Sequence, residues 1–527
     1  MRHSKVEIVE NINVGDRKIL KYISIIGAIL VILLFYFNQH NILVDKVNSI
    51  KNVHSIIYGL FAAIAVIVII SILKNNYKIE RLFLLTIIPI GLIYTLLIPP
   101  GIVPDEWTHM YSAFSLSSQI MQKETNNQVT MRIEEYELYS RQMTLPDNGY
   151  YDYVYNNIFS MSENNEYMNI EIDSVSFGQI FAYFPTTVGV TIARLLNLGG
   201  VTTAYVGRLF NFIYYTIVTY FALKKIPFGK LLLFAVTMLP MTCQQMFSLS
   251  YDAVLNATSF FCIAYGMYFV YQSDKVEKKD ILLYALGGLI LLTVKGSAYA
   301  FILVIPILAK YFNPNGYEIA KRTKIIIFII VITCIVLLNF RSFISTGTTS
   351  SLGSVSGENV VPWTGTPSYT LASLLSDVPG TITLFINTFI EKGIWYINTA
   401  IGSELGWLSI LMPTWIINVW IGLLIISSFS EKSNNEVFTY EHKLLYFLIA
   451  AAVILVVMLA MALAWTPAGY QWIEGVQGRY YIPIIYLLLI WLQNTKIYLH
   501  DKIVKIVTII IPIMAMISIY NLIPLVL

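Results

Sequence analysis

Apolar runs long enough to cross a bilayer recur from one end of this chain to the other. A hydrocarbon core of roughly 30 Å needs about 20 apolar residues in a helix. Clear runs of that kind fall at roughly 19–37, 55–73, 82–98, 204–223, 230–248, 252–271, 324–344, 415–429, 442–464, 480–494 and 505–523. Two shorter runs, 281–293 and 297–312, flank Lys295-Gly296 and suit a hairpin of short helices, and 178–196 and 378–398 are apolar but less regular. The count comes to about 11 to 14 spans. Composition agrees: of 527 residues 57% are hydrophobic and 12% charged, about half the charge of a soluble domain. That excludes a soluble enzyme, a disordered protein and a secreted disulfide scaffold. The expected fold is all-α, a polytopic integral membrane protein.

Lysine and arginine set the orientation, because cytoplasmic loops carry the excess of both. Basic groups cluster at Arg17/Lys18/Lys21, Lys74/Lys78/Arg81, Lys224/Lys225/Lys230, Lys275/Lys278/Lys279, Lys310/Lys321/Arg322/Lys324 and Lys496/Lys502/Lys505. Placing them inside puts the N-terminus in the cytoplasm of a bacterial cell and the segment Pro99 to Phe177 outside. That segment holds 12 acidic residues against three basic ones. For Lys224, Lys225 and Lys230 to stay inside, 178–203 must be a re-entrant or interfacial hairpin rather than a span. The first run, 19–37, has no small-x-small cleavage site and reads as an uncleaved span. Net charge of +3 is dispersed, so no nucleic-acid partner is expected. The three cysteines lie inside apolar runs, so no outer disulfide is expected.

The chain divides into 1–81 (a cytoplasmic segment and two extra spans), a membrane domain 82–494 and a last span in 495–527. The 79-residue outer loop is longer than a connector needs, and loops of that size tend to be functional. Its eight tyrosines suit a small cap over the membrane. A second outer loop, 345–377, is rich in Ser, Thr and Gly.

Four constellations stand at expected outer ends of spans. After the third span comes Pro104-Asp105-Glu106-Trp107-Thr108-His109. On a helix Asp105 and Glu106 share a face with His109, while Trp107, Met110, Phe114 and Ile120 suit a helix lying on the bilayer surface. Carboxylates in a first turn are also ordinary helix-start chemistry. The second is Ser250-Tyr251-Asp252-Ala253-Val254-Leu255-Asn256, with Asp252 near the membrane boundary, where an unpaired charge is expensive; N-capping is the plainer account. The third is Lys295, ionisable within an apolar stretch, or a lysine whose head snorkels to the interface. The fourth is Glu474-Gly475-Val476-Gln477-Gly478-Arg479-Tyr480-Tyr481-Ile482-Pro483, where Arg479 could clamp a phosphate or serve as an interfacial anchor. There is no GxxxxGK[ST], no GxGxxG after a strand and no zinc-spaced His/Cys set, so ATP-driven chemistry within this chain is not expected.

The ordered set Pro104-Asp105-Glu106-x-x-His109, Ser250-Tyr251-Asp252-Ala253-x-x-Asn256, Lys295 and Gly478-Arg479-Tyr480-x-x-Pro483 resembles the bacterial membrane family called domain of unknown function 2142, over about Leu82 to Leu492. Trp107-Thr108 and Tyr251 depart from that family's usual residues. The family looks like a branch of the GT-C glycosyltransferases, which use lipid-phosphate sugars. The resemblance implies an inverting transfer on the outer face, from a polyprenyl-phosphate-linked sugar to a cell-wall or other surface glycan acceptor. It implies a catalytic set of Asp105, Glu106 and His109, with Asp105 as general base, and substrate binding by Asp252, Asn256, Lys295, Arg479 and Glu474. No organic cofactor is implied; some GT-C enzymes use a divalent metal, for which Asp105, Glu106 and Asp252 are the candidate ligands. Two other readings stand beside it: a transporter or flippase for lipid-linked glycans, and a non-catalytic membrane assembly protein. They separate on whether Asp105, Asp252, Lys295 and Arg479 line one outward-facing cavity.

Overall fold

The computed structural model describes residues 46–74, 78–123, 128–141, 143–163, 166–173, 179–309, 360–432 and 438–526, with isolated positions elsewhere. The expected spans 19–37 and 324–344, most of 1–45, and loop positions 345–359 lie outside the described residues.

Among the described residues the fold is helical with two small two-stranded sheets. In order the elements are α1 (Asn48–Lys74), α2 (Ile79–Leu97), α3 (Glu106–Ile120), β1 (Gln128–Arg132), α4 (Ile133–Ser140), α5 (Asn148–Asn157), β2 (Tyr167–Asp173), α6 (Ile180–Leu195), α7 (Gly200–Lys225), α8 (Lys230–Thr237), α9 (Pro240–Gln245), α10 (Asp252–Tyr271) and α11 (Lys278–Thr293). A 3₁₀ stretch, Lys295–Leu308, follows. Then come α12 (Leu371–Ser376), α13 (Val378–Ile401), β3 (Glu404–Leu405), β4 (Ile410–Leu411), α14 (Thr414–Ser428), α15 (Tyr440–Ala464), a 3₁₀ turn at Gly478–Ile484, α16 (Ile485–Leu489) and α17 (Asp501–Val526). β1 pairs antiparallel with β2, and β3 with β4.

Among the described residues five helices are long and apolar enough to cross a membrane: Asn48–Ile72, Ile79–Leu97, Asp252–Tyr271, Tyr440–Ala464 and Asp501–Val526. Shorter apolar helices stand at Ile180–Leu195, Ser297–Leu308, Thr414–Ser428 and Gly478–Leu492. Two runs expected as single spans are broken. The run 230–248 divides into α8 and α9 because Pro240 begins a new helix after Leu239 turns extended. The run 480–494 tightens into 3₁₀ geometry around Pro483, with one short α-helical stretch.

One end of the helix set holds the described clusters around Lys225 and Lys230. Lys230 pairs with Glu80 at 3.3 Å and Lys225 with Asp280 at 2.9 Å. The Tyr271 hydroxyl bonds His442 at 2.8 Å, and the Leu499 N–H donates to Phe429 at 2.7 Å. The opposite end carries the turns after α2, before α10 and after α15. Helix α6 does not reach the basic end. Its start meets α3 through Tyr183 and His109, and its finish meets α3 and α4 through Arg194. Helix α13 also stays at the far end, running beside the loop 465–478 and bonding it through Thr388 to Ile473. An exposed stripe of Ile382, Ile386, Ile390, Ile394 and Ile397 lies along one side of α13, the spacing of a helix lying in an interface.

The segment 99–177 is a built cap. Helix α2 ends at Pro99-Pro100, which leaves its last carbonyls without helical partners. Two tyrosines of α5 supply partners, Tyr155 donating to Leu96 and Tyr151 to Leu97, and a third, Tyr150, donates to Pro100 in the turn that follows, at 2.5–2.6 Å. Helix α3 is not a surface helix, contrary to its apolar pattern. Trp107, Met110 and Phe114 are buried and Ile120 is exposed, because β1 and α6 pack over it.

Candidate functional site

The turn between α2 and α3 brings the first carboxylates to the far end of the bundle. Asp105 occupies the N-cap of α3 in the left-handed region, φ 59° and ψ 8°. Few residues other than glycine adopt that conformation, and Asp and Asn do so most readily. It turns the Asp105 side chain away from the helix it would otherwise cap, and leaves it 43% exposed. Glu106, next in sequence, points the other way and is fully buried.

Helix α7 positions the second carboxylate. Arg208 and Asn211, three apart on one face, hold two different turns. Arg208 donates to Ile98 and Pro99 carbonyls at 2.6 and 2.9 Å and forks onto Glu106. The Asn211 amide donates to Ser248 and Ser250 carbonyls at 2.7 and 3.0 Å, which fixes the turn leading into α10 and Asp252. Glu106 ties the two turns together: its Oε1 also accepts the Leu249 N–H and its Oε2 the Gly101 N–H, at 2.8 and 2.7 Å.

Arg479 comes from the 3₁₀ turn after α15. Gly478 before it packs so closely that a Cβ there would sit 2.2 Å from the Tyr396 carbonyl oxygen on α13. Arg479 then joins all three segments. Its Nη1 donates to Asp252 Oδ2 at 3.0 Å and to the Pro104 carbonyl at 3.1 Å. Its Nη2 bonds Asp105 Oδ2, and its Nε donates to Gln477 at 2.7 Å. Residues 105, 252 and 479, distant in sequence, thus meet in one cluster of two carboxylates around a buried guanidinium.

The other candidates are placed differently. His109 sits one turn into α3, its Nδ1 2.8 Å from the Tyr183 hydroxyl and its ring edge-on to Tyr251. Asn256 is buried one turn below Asp252, and its amide makes no hydrogen bond among the described residues. Lys295 opens the 3₁₀ stretch, but its side chain lies outside the described residues. Glu474 is turned toward α13, 3.6 Å from Lys392, and accepts from the Trp472 indole. The structure therefore brings together Asp105, Asp252 and Arg479, with His109 behind them, and leaves Glu106 and Glu474 facing other partners.

A divalent cation held by Asp105, Glu106 and Asp252 does not fit this arrangement. Both Glu106 oxygens are filled by Arg208 and two backbone N–H groups, and Arg479 occupies the space between the remaining carboxylates. Among the described residues no group of three or more His, Cys, Asp or Glu side chains stands at metal-ligand spacing.

Sequence reasoning missed Arg208, Asn211 and Arg194. The signal was available: each is a polar residue inside an apolar run, where an ionisable group marks a buried partner or a site. No curated protein and no solved structure matches the chain. Residues 88–488 match the family described as "Predicted membrane protein (DUF2142)" and enclose Asp105, Asp252 and Arg479. With most of its length covered by that match, the chain belongs to the DUF2142 family of membrane proteins.

Proposed function

We propose that this protein is a membrane glycosyltransferase that moves a sugar from a polyprenyl-phosphate donor to a surface glycan on the outer face of a bacterial plasma membrane. The observation that carries the reading is the Asp105–Arg479–Asp252 cluster at the end of the bundle opposite the basic clusters. With lysines inside, that end is the outer one and the N-terminus is cytoplasmic. A lipid-linked donor needs its phosphate and sugar at the interface while its chain stays in hydrocarbon, and this cluster has polar groups above apolar helices.

Asp105, the exposed member, takes the proton of an acceptor hydroxyl as that oxygen bonds to the anomeric carbon. The bond from that carbon to the phosphate oxygen breaks, and its electron pair leaves on the polyprenyl phosphate. Arg479 meets the growing charge on the phosphate. Asp252 holds the guanidinium in place, and Glu106 is a positioning residue that fixes both turns through Arg208. Polyprenyl phosphate is already a good leaving group, so no general acid is needed.

Replacement of Asp105 by Asn tests this, since Asn keeps the shape and tolerates the left-handed backbone. Membranes carrying Asp105→Asn should show a normal level of inserted protein, a surface glycan lacking one sugar, and no transfer from polyprenyl-phosphate donors. An unchanged glycan would overturn the base assignment. A flippase is favoured by the break between α8 and α9 and the long 3₁₀ stretch Lys295–Leu308, since discontinuous helices are common in transporters. In that case Asp105→Asn would accumulate lipid-linked glycan inside without loss of any transfer step.

A further inference from the structure

A second concave site lies apart from the carboxylate cluster, between the start of α13 and the loop after α15. It is a cleft of about 320 Å³, within the usual range for small-molecule sites, about 300–1,000 Å³. Tyr369 and Tyr470 supply ring surface, and Asn387, Gln471 and Thr383 supply amide and hydroxyl groups. The side chains of Asn387 and Gln471 make no hydrogen bonds among the described residues, so both amides can donate and accept. Tyr470 is fixed from two sides, its carbonyl accepting the Tyr369 hydroxyl at 2.9 Å and its ring edge-on to Trp363.

The charge of the cleft decides what it can hold. Its one ionisable carboxylate, Asp377, caps α13 by accepting the Gly380 N–H at 2.9 Å. The lysine further along that helix, Lys392, faces Glu474. Among the described residues the cleft is lined by no cation, and a phosphorylated or carboxylated ligand would meet a negative group without a counter-charge from them. Flat aromatic surface beside two uncommitted amides, with hydroxyls such as that of Thr383 that donate to backbone carbonyls and keep lone pairs to accept, matches a neutral sugar, which has an apolar ring face and a rim of hydroxyls.

The cleft also has a fixed spatial relation to the cluster. Helix α13 and the loop 470–478 run side by side: Thr388 bonds Ile473, Lys392 faces Glu474, and Tyr396 lies against Gly478. From Leu384, at the cleft, to Thr399, beside Gly478, the helix rises about 22 Å. We propose that this cleft binds a neutral oligosaccharide segment of the acceptor, several sugars back from the hydroxyl that reacts. Its role as an acceptor subsite rests on the transferase reading; its affinity for neutral glycan does not.

The test uses the full-length protein in lipid nanodiscs free of glycoside detergent. Probes are neutral oligosaccharides of two to six hexose or N-acetylhexosamine units, and phosphorylated counterparts, followed by saturation-transfer NMR and calorimetry. Neutral chains of four or more units should bind, and phosphorylated ones more weakly. Asn387→Ala combined with Gln471→Ala should weaken binding by about tenfold or more, with an unchanged melting temperature; Gln471→Ala alone, at an exposed position, should weaken it by less. Asp105→Asn should bind normally. No binding by any neutral probe, or equal binding by the double variant, would overturn the proposal. Normal glycan binding together with an Asp105→Asn variant that leaves the surface glycan unchanged would instead overturn the base assignment in the transferase reading and leave the cleft intact.

Discussion

Arg208 forks onto Glu106, Nε to Oε1 at 2.8 Å and Nη2 to Oε2 at 2.5 Å, and both side chains are about 1% exposed. Removing one partner of a buried pair leaves an uncompensated charge, at about 3–5 kcal/mol. Here the loss is spread over two turns, because Arg208 also holds the carbonyls of Ile98 and Pro99. Arg208→Met should lower the melting temperature of the purified protein sharply, whereas Asp105→Asn should barely change it. Arg208→Met with Glu106→Gln should recover part of the loss, since no bare carboxylate then remains. Equal melting of Arg208→Met and the parent protein would refute the pinning role.

The three α5 tyrosines supply a second prediction. Tyr150, Tyr151 and Tyr155 are buried, and each satisfies a carbonyl at the broken end of α2 or in the turn that follows. Truncating a donor strands a buried acceptor, at about 1–3 kcal/mol each. Tyr151→Phe should therefore destabilise, and Tyr150→Phe with it should destabilise further. Tyr153→Phe, whose ring faces Arg141 without closing the α2 end, should leave melting near the parent value.

Periodicity and charge carried much of this architecture, because burial in lipid forces long apolar runs and leaves lysines on one side. The pairing of Lys230 with Glu80 agrees with the grouping of those two clusters, and α6 packs against α3 and α4 at the far end. The site was legible in part. Asp105, Asp252 and Arg479 stand out as charges at span ends, and they meet. Glu106 was misleading because its neighbour shares its chemistry, while the left-handed turn at Asp105 sends the two carboxylates in opposite directions. Composition cannot register that choice of φ. Nor does an apolar pattern report whether its partner is lipid or protein, so α3 reads as a surface helix although the cap buries it. Breaks such as Leu239-Pro240 were visible as residues but not as a change of helix, since a proline inside a span often only kinks it.

Glu135 gives a pH dependence. Burial by itself raises its carboxyl, but Arg194 and Arg132, bonded to both oxygens at 2.6–2.9 Å, hold it below the usual 4.5. A carboxyl whose pKa is lower folded than unfolded contributes stability that is complete above the unfolded value. That contribution is lost as pH falls through the folded one. Thermal melts should stay level from neutral pH down to about 4.5 and then fall more steeply. Glu135→Gln should melt lower at neutral pH and show a shallower acid decline. A parallel decline in both proteins would place the acid sensitivity elsewhere.

Arg479 meets Asp105, Asp252, Gln477 and the Pro104 carbonyl at once, and that geometry requires a planar fork. Lysine keeps the charge but offers it from a single point, so it cannot span two carboxylates and, on the transferase reading, still face a phosphate. Arg479→Lys should therefore insert and fold, because the buried Asp252 and its neighbour Asp105 still have a cation. Transfer from a polyprenyl-phosphate donor should fall by about 10²-fold or more, with a higher KM for the donor and an unchanged KM for the acceptor. Loss of acceptor affinity alone would mean that the guanidinium serves the acceptor and that another cation meets the phosphate. Parent-like transfer by Arg479→Lys would show that only charge is needed there, and that the fork serves to hold the two turns in register.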